Sequence, residues 1–161
     1  MLQATLFALS EAGWLGSLNK CQLMTTNFSF LGTEMNSAEA YSFIQEDRIK
    51  NILSWRQPKS CAEVGSRLAV IGYFSKFAPY LRLLGLPLYK MIKENKFRWT
   101  KTESESWENI KFLMSLRVKI YHFNKNLTNI VTSDSSHVSM NASIFQLTDD
   151  GQLQLLDTQT K

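Results

Sequence analysis

Residues Glu46 to Leu81 read EDRIKNILSWRQPKSCAEVGSRLAVIGYFSKFAPYL, with FLGTEMN before them at Phe30 to Asn36 and LPLYKMIKENKFRWT after them at Leu86 to Thr100. From Ser42 onward Ile44, Ile49, Ile52 and Leu53 recur at helical spacing, and Glu46 and Asp47 fall in the first turn, where carboxylates suit the helix dipole. Pro58 stops this helix, because proline lacks the N–H and its ring blocks the preceding turn. Ser60 with Glu63 three residues on is a capping-box arrangement. It opens a second helix with an apolar stripe of Val64, Leu68, Ile71 and Phe74 that ends before Pro79. A third, short helix is predicted from Leu83 to Lys93, with Pro87 marking a kink or a restart. Thr100 caps a fourth, with Trp107, Ile110, Met114 and Leu116 on its buried side. The middle of the chain thus reads as about four helices between Ser42 and Arg117.

On either side the pattern changes. Leu2, Leu6 and Leu9 put one apolar face on a helix from Leu2 to Trp14, ended by Gly13 and Gly16. Lys20 to Gly32 reads as strand, with Phe28, Phe30 and Leu31 as the β-favouring bulk. After Arg117, Lys119–Phe123 and Leu127–Ser133 read as strands. Ser139–Thr148 and Gln152–Leu156 read as a hairpin around Asp149-Asp150-Gly151, where Asp-Gly is a strong turn pair. The expected class is α+β, without internal repeats or low-complexity tracts.

Composition excludes several classes of function. The chain has 161 residues, 44% of them apolar and 20% charged, enough for one sizeable core or two small ones. Cys21 and Cys61 have no CxxC or Cys/His spacing, so no structural zinc site is expected and a reduced intracellular chain is the simple reading. No apolar run approaches the roughly 20 residues that a membrane span needs. The N-terminal apolar patch has no basic residues before it, so secretion is not expected, and the N-x-S/T triplets at Asn27, Asn126 and Asn141 carry no weight. Charge is distributed unevenly: Asp47 to Lys101 holds twelve Lys/Arg and three Asp/Glu, whereas the rest holds six and eleven. Such a block suits a polyanion, or is the solvated basic face of a helical domain.

The ordered words Phe30-Leu31-Gly32, Ile49-Lys50, Trp55-Arg56-Gln57-Pro58, Leu68, Tyr73-Phe74, Phe77, Pro79, Pro87-Leu88, Phe97-Arg98-Trp99-Thr100 and Trp107 to Lys111 carry a resemblance. In this order they resemble the reverse transcriptases of gypsy-type LTR retroelements, within the Pol polyprotein. Lys20-Cys21 matches a strand at the end of the palm, and Ser133-Asp134-Ser135-Ser136 looks like the opening of the tethered ribonuclease H domain. The resemblance implies the end of a palm at 1–36, a helical thumb at 37–100, a connection at 101–125 and a truncated ribonuclease H-like start at 126–161. The fold it implies is a thumb-like bundle between a small palm-edge β segment and a partial ribonuclease H-like sheet. The chain departs from the family at Arg67, Ala69, Gly72 and Ser75, and in Val138 to Ile144, where the family is glycine-rich. Arg67 falls on or beside the apolar stripe, a costly place unless its head reaches solvent.

Two-metal polymerisation needs carboxylates that hold both ions. In the resembled family they precede the FLG word, and little of this chain does. Asp149-Asp150 reads as a turn. Asp134 corresponds to the first ribonuclease H carboxylate and reads as a relic rather than a working ligand, since one carboxylate holds Mg²⁺ weakly. The resemblance implies Mg²⁺ in intact family enzymes; no cofactor is expected in this chain alone, and its enzymatic status stays open. His122 and His137 belong to no nucleophile motif. Duplex nucleic acid, bound without sequence preference, is the expected partner, with the rest of a Pol polyprotein as another. Lys50, Arg56, Lys59, Lys76 and Arg82 are the expected phosphate contacts, and Lys90, Lys93, Lys96 and Arg98 form a second cluster. Tyr73, Phe74, Phe77 and Tyr80 suit packing or base stacking, while Trp55, Trp99 and Trp107 suit packing. The expected function is a reverse transcriptase/ribonuclease H fragment that binds RNA–DNA duplex without catalysis. The alternatives are a domesticated protein-interaction scaffold or a decayed reading frame.

Overall fold

The computed structural model describes residues 2–135, 137 and 140–160. Ser136, Val138 and Ser139, which take part in two of the motif readings above, lie outside the described residues. The fold is α+β, with a helical block and, among the described residues, two antiparallel sheets, one of four strands and one of three.

Helix α1 (Leu2–Glu11) buries none of its residues. Next come β1 (Asn27–Phe30), β2 (Thr33–Asn36) and β3 (Tyr41–Ile44), an antiparallel meander joined at its far side by β4 (Ile120–Tyr121). Phe30 of the FLG word ends β1, paired with Thr33, but Leu31 and Gly32 form a turn rather than strand, both with positive φ, 49° and 83°. Two successive left-handed residues make the two-residue hairpin turn whose twist matches the strands it joins. Gly32 is needed here twice over, because a Cβ would also stand 3.2 Å from Phe74 Cζ and 3.4 Å from Arg48 Nε. Lys20-Cys21 is likewise not a strand. Leu18–Lys20 is a single 3₁₀ turn, and the open edge of β1 is met by a side chain. Gln22 Oε1 accepts the Ser29 N–H at 2.9 Å, and its Nε2 donates to the Ser29 carbonyl at 3.3 Å.

Ser42 and Ile44 belong to β3, so the first long helix begins later than its apolar spacing predicts. The block comprises α2 (Glu46–Ser54), α3 (Cys61–Tyr73), α4 (Leu81–Leu84), α5 (Leu86–Glu94) and α6 (Lys101–Ser115), with a 3₁₀ turn at Ser75–Phe77. The predicted third helix is therefore two: the chain breaks at Gly85 and restarts with Pro87 in the first turn of α5, where its missing N–H is harmless. The α3 stripe is buried as spaced, with Val64, Leu68 and Ile71 each at most 3% exposed. Ser60 accepts the Glu63 N–H at 3.2 Å, but the Glu63 carboxylate turns to the Lys59 N–H at 3.0 Å, so the capping box is only half made. On α6 the buried side is Trp107, Ile110, Leu113 and Met114. Leu116 lies beyond the last turn and is exposed. One core runs through the block, taking Ile44 from β3 and Ile120 from β4, with Leu155 of the last strand packed against it.

The Glu103 carboxylate accepts the Thr100 N–H at 2.8 Å and the Thr100 hydroxyl at the start of α6. The Thr100 hydroxyl, chiefly, holds this carboxyl below the usual range. A depressed folded-state pKa contributes stability that is present above the unfolded value and lost as pH falls through the folded one. Glu103→Gln should therefore cost about 0.5–1 kcal/mol at pH 7 and less at pH 3, as the carboxyl begins to protonate. Urea midpoints at the two pH values check this.

The C-terminal sheet is the meander β5 (Thr128–Ser135), β6 (Met140–Leu147) and β7 (Leu153–Thr160). Asp149-Asp150-Gly151 is the turn between its last two strands, with the Gly151 N–H bonded to the Thr148 carbonyl at 2.9 Å. Gln146, fully buried, ties this sheet to the segment after β4. Its Nε2 donates to the Asn124 carbonyl at 2.7 Å and to Asn129 Oδ1 at 3.0 Å, while its Oε1 accepts the Asn124 N–H at 2.8 Å. Gln146→Leu fits the volume but strips those partners. It should lower stability by about 1–3 kcal/mol in urea unfolding.

Candidate nucleic-acid interface

The exposed cations of the helical block are the material of this site. Lys50 lies 3.1 Å from Glu46 one turn away, and Lys90 lies 3.9 Å from Glu94; both pairs are exposed. Such pairs are worth only about 0.3–0.5 kcal/mol, so a phosphate competes with them easily. Glu46 also meets Arg117 at 3.3 Å, and its carboxyl is held below the usual range chiefly by the hydrogen bond from Lys50. Arg56, Lys59, Lys76, Arg82 and Lys93 are exposed and make no ion pair among the described residues. Lys76 Nζ sits 4.8 Å from the centre of the Phe77 ring.

The structure gathers some of these groups and separates others. Lys90, Lys96 and Arg98 line one hollow of about 570 Å³ between the end of α5 and the start of α6, together with Glu94 and Glu103. Lys93, on the same helix, does not line it. Arg82 faces a different cleft, closed on one side by β7. The expected second cluster is thus partly assembled, and the first is divided.

A further cleft, of about 260 Å³, lies between α2 and α3 with the β1–β2 turn at its edge. Arg48, Asn51, Trp55 and Tyr73 line it, and Leu31 projects from the turn. Sequence reasoning did not select Arg48 or the turn. Only the glycine at the tip of the FLG word hinted that backbone and side chain meet closely there. Of the four aromatics left between packing and stacking, Phe74 and Phe77 are buried. Tyr73 and Tyr80 are about half exposed, and Tyr80 is held left-handed at φ 65°.

Arg67, one of the departures from the resembled family, keeps its head within 6 Å of two rings. Its Cζ stands 5.7 Å from the Trp55 ring centre and 5.8 Å from that of Trp107, and those rings stack at 6.3 Å. One guanidinium nitrogen donates to the Arg56 carbonyl, and another lies 3.8 Å from Glu63. A charge beside the core is thereby satisfied without leaving it. This cluster braces α3 and α6 against the end of α2.

Asp134 lies exposed on β5, opposite Asn141 of β6. Among the described residues no three His, Cys, Asp or Glu side chains come together as a metal site would require. The described residues do not fit a Mg²⁺ centre. Among the described residues no helix is long and apolar enough to cross a membrane.

Over 143 residues, 88% of its length, the sequence is 29% identical to the Transposon Tf2-3, Tf2-4 and Tf2-5 polyproteins of Schizosaccharomyces pombe. The chain is similar to part of a retroelement polyprotein. It spans 11% of the length of these curated relatives. No family model matches it. Among solved structures, the foamy viral protease-reverse transcriptase in complex with RNA/DNA hybrid superposes with a TM-score of 0.77 at 20% identity. That match covers 99% of this chain and 22% of the other. The same viral protein in complex with dsDNA gives 0.76 at 19% identity, covering 99% of this chain and 33% of that one. The fold of this chain is that of a stretch of the foamy viral protease-reverse transcriptase.

Proposed function

We propose that this chain is the thumb-and-connection portion of a retroelement Pol polyprotein, with a helical block that grips nucleic-acid duplex by its phosphates and performs no chemistry itself. In this reading residues 1–36 end the palm, 37–100 form the thumb, 101–125 the connection and 126–161 the start of a ribonuclease H-like sheet, in which Asp134 is a relic. The likeness to a reverse transcriptase solved on RNA/DNA hybrid supports the partner. The observation that carries the reading is the set of exposed cations, Arg56, Lys59, Lys76 and Lys93 among them, that no carboxylate among the described residues neutralises. Lys50 and Lys90 add to them through pairs weak enough to exchange for phosphate.

A second reading, docking onto other parts of a Pol polyprotein, is favoured by α1. That helix carries exposed Leu2, Leu6, Phe7 and Leu9 and buries none of them. Fluorescence anisotropy with a labelled RNA–DNA hybrid across a salt series separates the two. Phosphate binding weakens steeply with salt, and weakens again when Lys50, Arg56 and Lys59 become alanine. Binding by a folded sample that ignores salt overturns the phosphate reading.

A further inference from the structure

Where β7 crosses the Ser75–Phe77 turn and α4, a cleft of about 370 Å³ remains, within the usual size range for small-ligand sites. Its polar lining is Ser75, Arg82, Thr158 and Gln159, and no acidic residue lines it. Arg82 has no carboxylate within ion-pair distance among the described residues. The Thr158 hydroxyl shares a hydrogen bond with Ser143 at 3.0 Å, which anchors that wall to β6. The apolar lining is Leu81, Leu86 and the Tyr89 ring. Tyr89 lies against the bare backbone of Gly85, where a Cβ would come within 2.8 Å of its Cε2, so the ring has a fixed seat. Burial pushes the Tyr89 phenol up, which keeps it a neutral donor at physiological pH.

An unneutralised guanidinium, uncharged donors and a flat apolar wall in one concave space define a complementary ligand. We infer that this cleft binds a small molecule carrying one anionic group, phosphate or carboxylate, on a flat ring. The guanidinium takes the anion in a charge-assisted, bidentate manner, and the ring lies against Leu81, Leu86 and Tyr89. Binding here would join the helical block to the C-terminal sheet, because both contribute walls. The inference does not depend on duplex binding, which is read separately on the same sample.

The test is a backbone-amide NMR titration of the full chain with adenosine 5′-monophosphate and with indole-3-acetate, using adenosine and inorganic phosphate as controls. At least one of the two ring-bearing anions should shift the Ser75, Arg82, Tyr89 and Thr158 resonances, with a Kd on the order of 1 mM or tighter. The one that does so tells phosphate from carboxylate, and the controls should bind at least roughly tenfold more weakly. Arg82→Met should lose roughly tenfold or more, Gln159→Ala should lose severalfold, and Lys125→Ala, which does not line the cleft, should bind as the unaltered chain does. If neither anion moves these resonances, or if adenosine alone or Arg82→Met binds equally well, the inference is overturned. Gln159→Ala serves as the deciding variant should Arg82→Met fail to fold.

Discussion

Replacing Trp107 with alanine should destabilise the chain by about 3–5 kcal/mol, within the range for emptying a buried aromatic site. Trp107 is 2% exposed. It stacks on Trp55 at 6.3 Å, meets Trp99 edge-on at 6.5 Å and lies under the Arg67 guanidinium. Alanine would open a cavity at the junction of α2, α3 and α6 and remove one of the two rings that face Arg67. Against a typical stability of roughly 5–15 kcal/mol that is a large share. Phenylalanine should behave differently. The Trp107 indole N–H is buried without a hydrogen-bond partner among the described residues, so its loss removes a desolvated donor and leaves most of the packing. Trp107→Phe should cost less than about 1.5 kcal/mol. Urea unfolding followed by far-ultraviolet circular dichroism distinguishes the two.

The second large effect concerns binding. Each phosphate contact on duplex DNA contributes about 0.9 to the slope of log affinity against log salt. Changing Arg56, Lys59 and Lys76 to glutamine together should lower that slope by about 2.7 if all three engage phosphates, which at 0.1 M salt is a ~500-fold loss of affinity. All three side chains are exposed and outside the core cluster, so folding should be unaffected. Anisotropy titrations of a labelled duplex at four salt concentrations give both quantities. An unchanged slope would place these residues off the interface.

How far the sequence was legible depends on whether local spacing or distant pairing decides a residue's place. The stripe of Val64, Leu68 and Ile71 was readable because helical period alone puts them on one face, and the core then covers that face. The Asp149-Asp150-Gly151 turn was readable for a similar reason, its chemistry being local. Ile44 was misplaced because it continues the apolar period of α2, yet the pairing of Ile44 with Thr33 holds it in β3. Leu31 has the bulk of a strand residue, but the hairpin register that pairs Phe30 with Thr33 puts it in the corner. Leu116 kept the period of α6 past the point where the helix stops. At the candidate interface, the cations and their exposure followed from composition. Their grouping did not: β7 places Thr158 and Gln159 in a cleft with Arg82, and the β1–β2 turn brings Leu31 to the cleft that Arg48 lines. Those juxtapositions join residues 17 to 77 positions apart, which no local pattern encodes.

The most direct test of the central claim is lysine footprinting: brief acetylation of the chain with and without saturating RNA–DNA hybrid, read residue by residue by mass spectrometry. The account predicts that Lys50, Lys59 and Lys76 become severalfold less reactive in the complex, while Lys125, exposed after β4 and outside the helical block, keeps its reactivity. Unchanged reactivity at all three helical-block lysines, with the hybrid demonstrably bound, would contradict it.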